Sequence, residues 1–206
     1  MAKISHNQIV ERKCESNMEK MDAPEGKTHR HRGKFTEGLL DNELILKTLM
    51  IKPGQTLLDA GCGNGYMSKV FSKAVSQSGK VIALDPDQYF IQGLKNETAG
   101  TNIEAIEGDI SKPTQLNALS VDLIYISTVL HAFSPQQMQG FLQEVKRLLK
   151  PDAQLAIVEI EKKETPFGPP LKLRYSPEEL KEIVPLKPGD TVQVGNHFYM
   201  QIFQNR

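Results

Sequence analysis

Leu57-Leu58-Asp59-Ala60-Gly61-Cys62-Gly63-Asn64-Gly65-Tyr66 is the stretch that decides the fold. An apolar run closes on an acid and passes into glycines at 61, 63 and 65. Glycine lets the backbone turn sharply and lets a ligand approach with no Cβ in the way. A dinucleotide loop spells GxGxxG and sets pyrophosphate at a helix N-terminus. Here the spacing is GxGxG, and Tyr66 stands where the third glycine would fall. Asp59 is poorly placed to meet a pyrophosphate. It suits a ligand bearing an ammonium group, or a loop whose N–H groups need fixing. The plainer alternative is an ordinary strand–helix turn.

Outward from this loop, short apolar runs alternate with helical periodicity. Strands are expected at 56–60, 80–84, 103–107, 121–127 and 154–160. Helices are expected at 36–50, 66–76, 88–98, briefly near 113–119, and at 135–149. In the last, Ser134 is a good N-cap, Pro135 suits the first turn, and Lys146 and Arg147 complement the dipole. Such alternation predicts an α/β, Rossmann-like, doubly wound sheet with helices on both faces. After Ile160 a Pro/Gly-rich loop at 165–170 leads to a short helix at 177–184. Two β-rich runs, 191–194 and 197–203, flank Gly195-Asn196, a hairpin signal. The expected end is an antiparallel hairpin on the sheet edge.

Open α/β sheets bind ligands at the carboxyl ends of their strands. The loop residues Gly61, Cys62, Gly63, Asn64 and Gly65 follow strand one. Asp85-Pro86 follows strand two, and an acid there can accept hydrogen bonds from a ribose. Asp109-Ile110 follows strand three. Asp109 can meet an adenine amino group and Ile110 can pack on its ring. The alternative is that either acid caps the turn it sits in.

The chain has 206 residues, 25 Lys plus Arg against 25 Asp plus Glu, and two cysteines. A neutral balance gives no whole-molecule pull toward nucleic acid or anionic membrane. Cys14 and Cys62 form no CxxC pair and read as reduced thiols. The N-terminus lacks an apolar signal region, and no apolar run nears the ~20 residues that span a bilayer. The expected location is the cytoplasm. Residues 1–34 carry eight Lys/Arg against five acids. They read as a polar arm that orders over a bound ligand as a lid, with the main domain at 35–206.

LLDAGCGNG, VIALDPD, EGDI and VDLIYISTVLHAF, in that order and spacing, resemble the class I S-adenosylmethionine-dependent methyltransferases, nearest to the type 11 or UbiE-like group. LKPDAQLAIVEI resembles the stretch into their fifth strand, with Asp152-Ala153 in place of a glycine pair. The resemblance covers residues 36–160. It implies S-adenosylmethionine as cofactor, a seven-stranded order 3-2-1-4-5-7-6 with strand seven antiparallel, and a small-molecule acceptor. It also implies that Asp59, Gly61 and Ser127 line the methionine end, Asp85 the ribose, and Asp109-Ile110 the adenine.

Methyl transfer is mostly positioning and water exclusion. A base is needed only if the acceptor loses a proton. His131, just after strand four, is the candidate base, or else a side chain packed beside the cofactor. Phe35, Arg174 and Tyr175 are candidates for holding the acceptor, or structural residues. His29, His31, His131 and His197 could converge on a metal, but local spacing fixes no ligand set, so no metal is assigned. Rival readings are a protein or RNA methyltransferase, supported only by the basic arm, and a non-catalytic cofactor-binding protein. Nothing in the sequence fixes the oligomeric state.

Overall fold

The computed structural model describes residues 36–206. The polar arm, Phe35, His29, His31 and Cys14 lie outside the described residues. Among the described residues the elements run α1 (Asn42–Leu49), β1 (Thr56–Ala60), α2 (Tyr66–Val75), β2 (Lys80–Asp85), α3 (Gln88–Glu97), β3 (Ile103–Glu107), β4 (Val121–Ser127), α4 (Pro135–Leu148), β5 (Leu149–Ile160), α5 (Pro177–Ile183), β6 (Lys187–Gly195) and β7 (Phe198–Gln204). Single 3-10 turns at Leu130–Ala132 and Leu171–Leu173 complete them.

The strands form one seven-stranded sheet in the order β3-β2-β1-β4-β5-β7-β6. All neighbouring pairs are parallel except those of β7, which runs antiparallel to β5 and β6. This is the Rossmann-like, doubly wound α/β sheet that the alternation predicts, closed by the expected hairpin. The hairpin does not sit with β6 innermost. β7 inserts between β5 and β6, and all its residues from Phe198 to Phe203 are buried.

Leu57, Val81, Leu123 and Tyr125 point to one face and pack on Ile45, Leu49, Phe71 and Val75 of α1 and α2. Leu58, Ile82, Ile124 and Ile157 point to the other and pack on Phe141, Val145 and Leu180 of α4 and α5. The period-two alternation of side chains thus feeds two cores, and a strand buried on both sides reads as a continuous apolar run.

Three of the departures from the expectation have a visible reason. The first helix starts at Asn42, not 36, because the Asp41 carboxylate caps it through the Leu44 amide (2.9 Å) and the Asp41 amide bonds Val194 O (2.7 Å). The segment before it is turn, tied to β6. No helix forms near 113–119. There the Thr114 amide and hydroxyl donate to Glu144 Oε1 (2.9 and 2.6 Å), and Arg147 Nη1 donates to Leu116 O (2.8 Å). A side-chain pair on α4 satisfies the backbone groups that a helix would have paired. Finally β5 begins at Leu149, directly after α4. Asp152 sits within it at φ 60°, a conformation glycine adopts freely.

Candidate active site

The glycine loop is built from its own backbone. Gly61, Gly63 and Gly65 have φ of 71°, 52° and 72°. The amides of Gly61 and Cys62 both donate to Leu84 O (2.7 and 3.1 Å), and the Gly65 amide donates to Cys62 O (2.9 Å). A Cβ on Gly65 would lie 2.5 Å from Leu94 Cδ1, and one on Gly61 would lie 2.7 Å from Val129 Cγ2. Glycine is therefore required at 61 and 65 both by conformation and by space. The Asn64 side chain accepts from the Tyr66 amide (3.1 Å), serving α2. Cys62 is buried among Ala83, Ile91 and Leu94, and burial pushes its thiol far up. These two loop side chains support the loop from behind.

The strand acids cluster beside it. β1 register sets Asp59 against Ala83 and Tyr125, so Asp59, Tyr125, Asp85 and Ser127 share one sheet face at the carboxyl edge. The buried Asp59 accepts from Ser68 Oγ on α2 (2.6 Å). Burial pushes its carboxyl up to about 7, with the Ser68 bond opposing and the Asp85 charge adding. Asp85 accepts from the Gly63 amide through Oδ2 (2.9 Å) and from the Asp87 amide through Oδ1 (2.8 Å). Burial raises it, and those two amides oppose the rise. Each oxygen retains a lone pair for a second donor. Pro86, exposed beside it, and Asp109 line an open groove of about 1090 Å³ along β3. Asp109 accepts from the Ser111 amide and hydroxyl at Oδ1 (2.9 and 2.6 Å), and Lys112 lies 3.4 Å from Oδ2. Burial pulls that carboxyl up, but those donors outweigh it and hold it below the usual range. Ile110 is buried in the α4-side core.

Two hydroxyls at this edge have no hydrogen-bond partner beyond each other among the described residues. Tyr125 OH and Ser127 Oγ are both shut off from solvent and lie near each other, outside good hydrogen-bond geometry with any described residue. Burial raises the phenol, and nearby Ser127 opposes. A buried unpaired polar group is costly, on the order of 1–3 kcal/mol. Glycines that admit a ligand, two carboxylates with spare lone pairs, and hydroxyls awaiting a partner fit a ligand with amino, carboxylate and ribose groups.

Past Ser127 the chain turns over the end of the sheet. Thr128, a β-branched residue, is held at φ 55°, a strained conformation of the kind found at functional sites. Val129 packs against Gly61, and two residues on lies His131. Its Nδ1 is 3.2 Å from Glu159 Oε2, and Glu159 Oε1 accepts from the Leu130 amide (2.9 Å). Glu159 is wholly buried, while the His131 side chain is 20% exposed.

The structure thus gathers Asp59, Gly61, Gly63, Gly65, Asp85 and Ser127 at one edge. Arg174 and Tyr175 stand apart from it. Arg174 is buried, with bonds to the carbonyls of Pro169, Glu161, Lys163 and Phe167 and to Thr165 Oγ1. It clasps the loop after β5. Tyr175 packs on the α4-side core, and its carbonyl accepts from Tyr199 OH (2.7 Å). Among the described residues no three metal-ligating side chains gather. Sequence reasoning passed over Glu159, Tyr125 and Ser68. A lone acid within Ala156-Ile157-Val158-Glu159-Ile160 was the available signal for the first.

Residues 57–152 match the model of a methyltransferase domain family. An uncharacterized methyltransferase of Synechocystis is 31% identical over 135 residues, covering 64% of this chain and 60% of that protein. A demethylmenaquinone methyltransferase of Lactobacillus johnsonii is 30% identical over 135 residues, 64% of this chain and 53% of that one. The chain therefore spans just over half the length of these curated relatives. The crystal structure of an S-adenosylmethionine-dependent methyltransferase from Aquifex aeolicus superposes with a TM-score of 0.75 at 30% identity, covering 93% of this chain and 98% of that one. With this strand order, this loop and these relatives, the chain belongs to the class I S-adenosylmethionine-dependent methyltransferases.

Proposed function

We propose that the protein transfers the methyl group of S-adenosylmethionine to a small-molecule acceptor in the cytoplasm. The observation that carries this reading is the unpaired Tyr125 and Ser127 hydroxyls beside Asp59, on the same edge as three left-handed glycines. When bound, the sulfonium supplies an electrophilic methyl carbon. The chain's own residues hold and orient. Asp59 and Ser127 face the amino-acid end, Asp85 takes the ribose hydroxyls on its spare lone pairs, and Asp109 with Pro86 borders the adenine groove. Gly61 and Gly63 let the backbone lie against the ligand. The turn from Thr128 to His131 closes the edge and keeps water from the methyl carbon, so alignment supplies most of the rate. A small-molecule acceptor is favoured by the demethylmenaquinone methyltransferase among the relatives. The neutral charge balance also gives no attraction to nucleic acid.

The test is a pair of melting curves with S-adenosylhomocysteine and with NAD, followed by turnover with methyl-labelled S-adenosylmethionine. Stabilisation by S-adenosylhomocysteine alone, with label passing to an acceptor, is expected. Stabilisation by NAD instead would refute the reading. Binding without transfer to any acceptor would leave a cofactor-binding protein.

A further inference from the structure

Glu159 is the one fully buried carboxylate at the carboxyl edge that the cofactor reading leaves unused. A buried charge persists only when paired and hydrogen-bonded. Among the described residues Glu159 has two partners, the Leu130 amide and the His131 ring, and no lysine or arginine pairs with it. Both partners come from the turn that Thr128 forces over the sheet, so the carboxylate fixes that turn and aims the imidazole together. The other titratable neighbour is Tyr199 on β7, whose hydroxyl is spent on Tyr175 O; Glu178 and Glu179 on α5 face Tyr199 in turn.

The ring proton follows from this. A carboxylate oxygen offers only lone pairs, so an unprotonated Nδ1 would set lone pair against lone pair at 3.2 Å. With Glu159 ionised, the neutral ring carries its proton on Nδ1, which leaves Nε2 as the basic nitrogen. Nε2 has no hydrogen-bond partner among the described residues, and the ring edge that bears it is the edge turned from Glu159. Val129 places this turn against Gly61 of the cofactor loop.

The geometry points to a general base, His131 Nε2, positioned by Glu159, and hence to an acceptor that gives up a hydroxyl proton: a phenol or enol. The inference rests on the methyl-transfer reading above. A phenol, with a pKa near ~10, is within reach of an imidazole base. A thiol already supplies thiolate at neutral pH and needs little help. In the reaction the acceptor oxygen forms a bond to the methyl carbon as the carbon–sulfur bond breaks. That bond's electron pair stays on sulfur, and the hydroxyl proton ends on Nε2. The imidazolium so formed is balanced by Glu159, which acts through His131 and is a positioning residue.

Glu159→Gln tests this closely. The amide oxygen can still accept from Leu130, but the amide NH₂ then faces Nδ1 and turns the ring to the Nε2–H tautomer. Nitrogen-15 NMR of histidine-labelled protein reads the tautomer without turnover, with the His131 signal assigned by its loss in His131→Asn. The expected native form is Nδ1–H, shifting to Nε2–H in Glu159→Gln. Turnover is then measured against a panel of catechol, hydroquinone, a thiol and a primary amine. The expected outcome is methylation of a phenol, with kcat down roughly 100-fold in either variant and KM for S-adenosylmethionine unchanged. S-adenosylhomocysteine melting curves on both variants separate this from loss of the cofactor site, which would instead sink the methyl-transfer reading. An Nε2–H tautomer in the native protein overturns the base. Methylation of the thiol or amine alone, or of no member of the panel, overturns the acceptor class.

Discussion

The two halves of the carboxyl edge are built by different means. Around β1 and β2 the site is made by backbone: left-handed glycines, amides on Leu84 O, and Asp85 reaching 22 residues back to Gly63. Around β4 and β5 it is made by side chains that meet across 28 residues, His131 with Glu159, and away from that edge the same device joins Thr114 and Leu116 to Glu144 and Arg147 of α4. A backbone site tolerates few residues at each position, so it is spelled out in a contiguous motif. A side-chain site depends on which residues the fold brings together. The first kind suits a cofactor common to a family, and the second suits an acceptor peculiar to one enzyme.

The contrast can be broken at its strongest point first. Gly65→Ala adds a Cβ at φ 72° and 2.5 Å from the buried Leu94. The combined cost of the left-handed conformation and overpacking is about 3 kcal/mol. Denaturant titration should show that loss, and calorimetry with S-adenosylhomocysteine should show affinity falling more than tenfold. Among the long-range side-chain pairs away from that edge, Arg147→Met strips the donors from Thr114 and Leu116 carbonyls and leaves the buried Glu144 with only Thr114. With Arg147 about a third exposed, the expected loss is about 2 kcal/mol by denaturant titration. Its effect on cofactor affinity should be less than that of Gly65→Ala.

Asp59 sharpens the comparison through pH. Its folded pKa of about 7 lies above the ordinary 3.8, so between those values the folded state holds a proton that the unfolded state has lost. Stability contributed by the protonated form is therefore lost as pH rises toward and through 7. Asp59→Asn should melt above the wild type at pH 8, and the advantage should vanish by about pH 4. The same variant should bind S-adenosylhomocysteine more weakly. The smallest effect is expected from Tyr125→Phe. Removing an unpaired buried hydroxyl should stabilise the free protein by roughly 1 kcal/mol. A melting-curve gain that S-adenosylhomocysteine narrows would show the hydroxyl pairing with ligand.

The strand–helix alternation, the glycine loop and the two strand-end acids were legible because each is local: a run of apolar residues, a φ only glycine takes, an acid at a strand end. The inward insertion of β7 came from family resemblance, since a hairpin signal alone says only that two strands pair. The missing helix near 113–119 was not legible, because its backbone partners are Glu144 and Arg147, some 30 residues away. Cys62 and Asn64 lie in the motif, yet their side chains serve the α3 packing and the start of α2. Arg174 read as a ligand for an anion because arginine does that at a surface; burial among five oxygen acceptors makes it a clasp.

The most direct test of the account is an amide NMR titration with S-adenosylhomocysteine on the full chain. The account predicts the largest shifts at Gly61, Gly63, Asp85, Asp109 and Ser127, with smaller ones at Leu130 and His131 and almost none along β6. Shifts concentrated on β6 and the loop after β5, with the glycine loop unmoved, would contradict it.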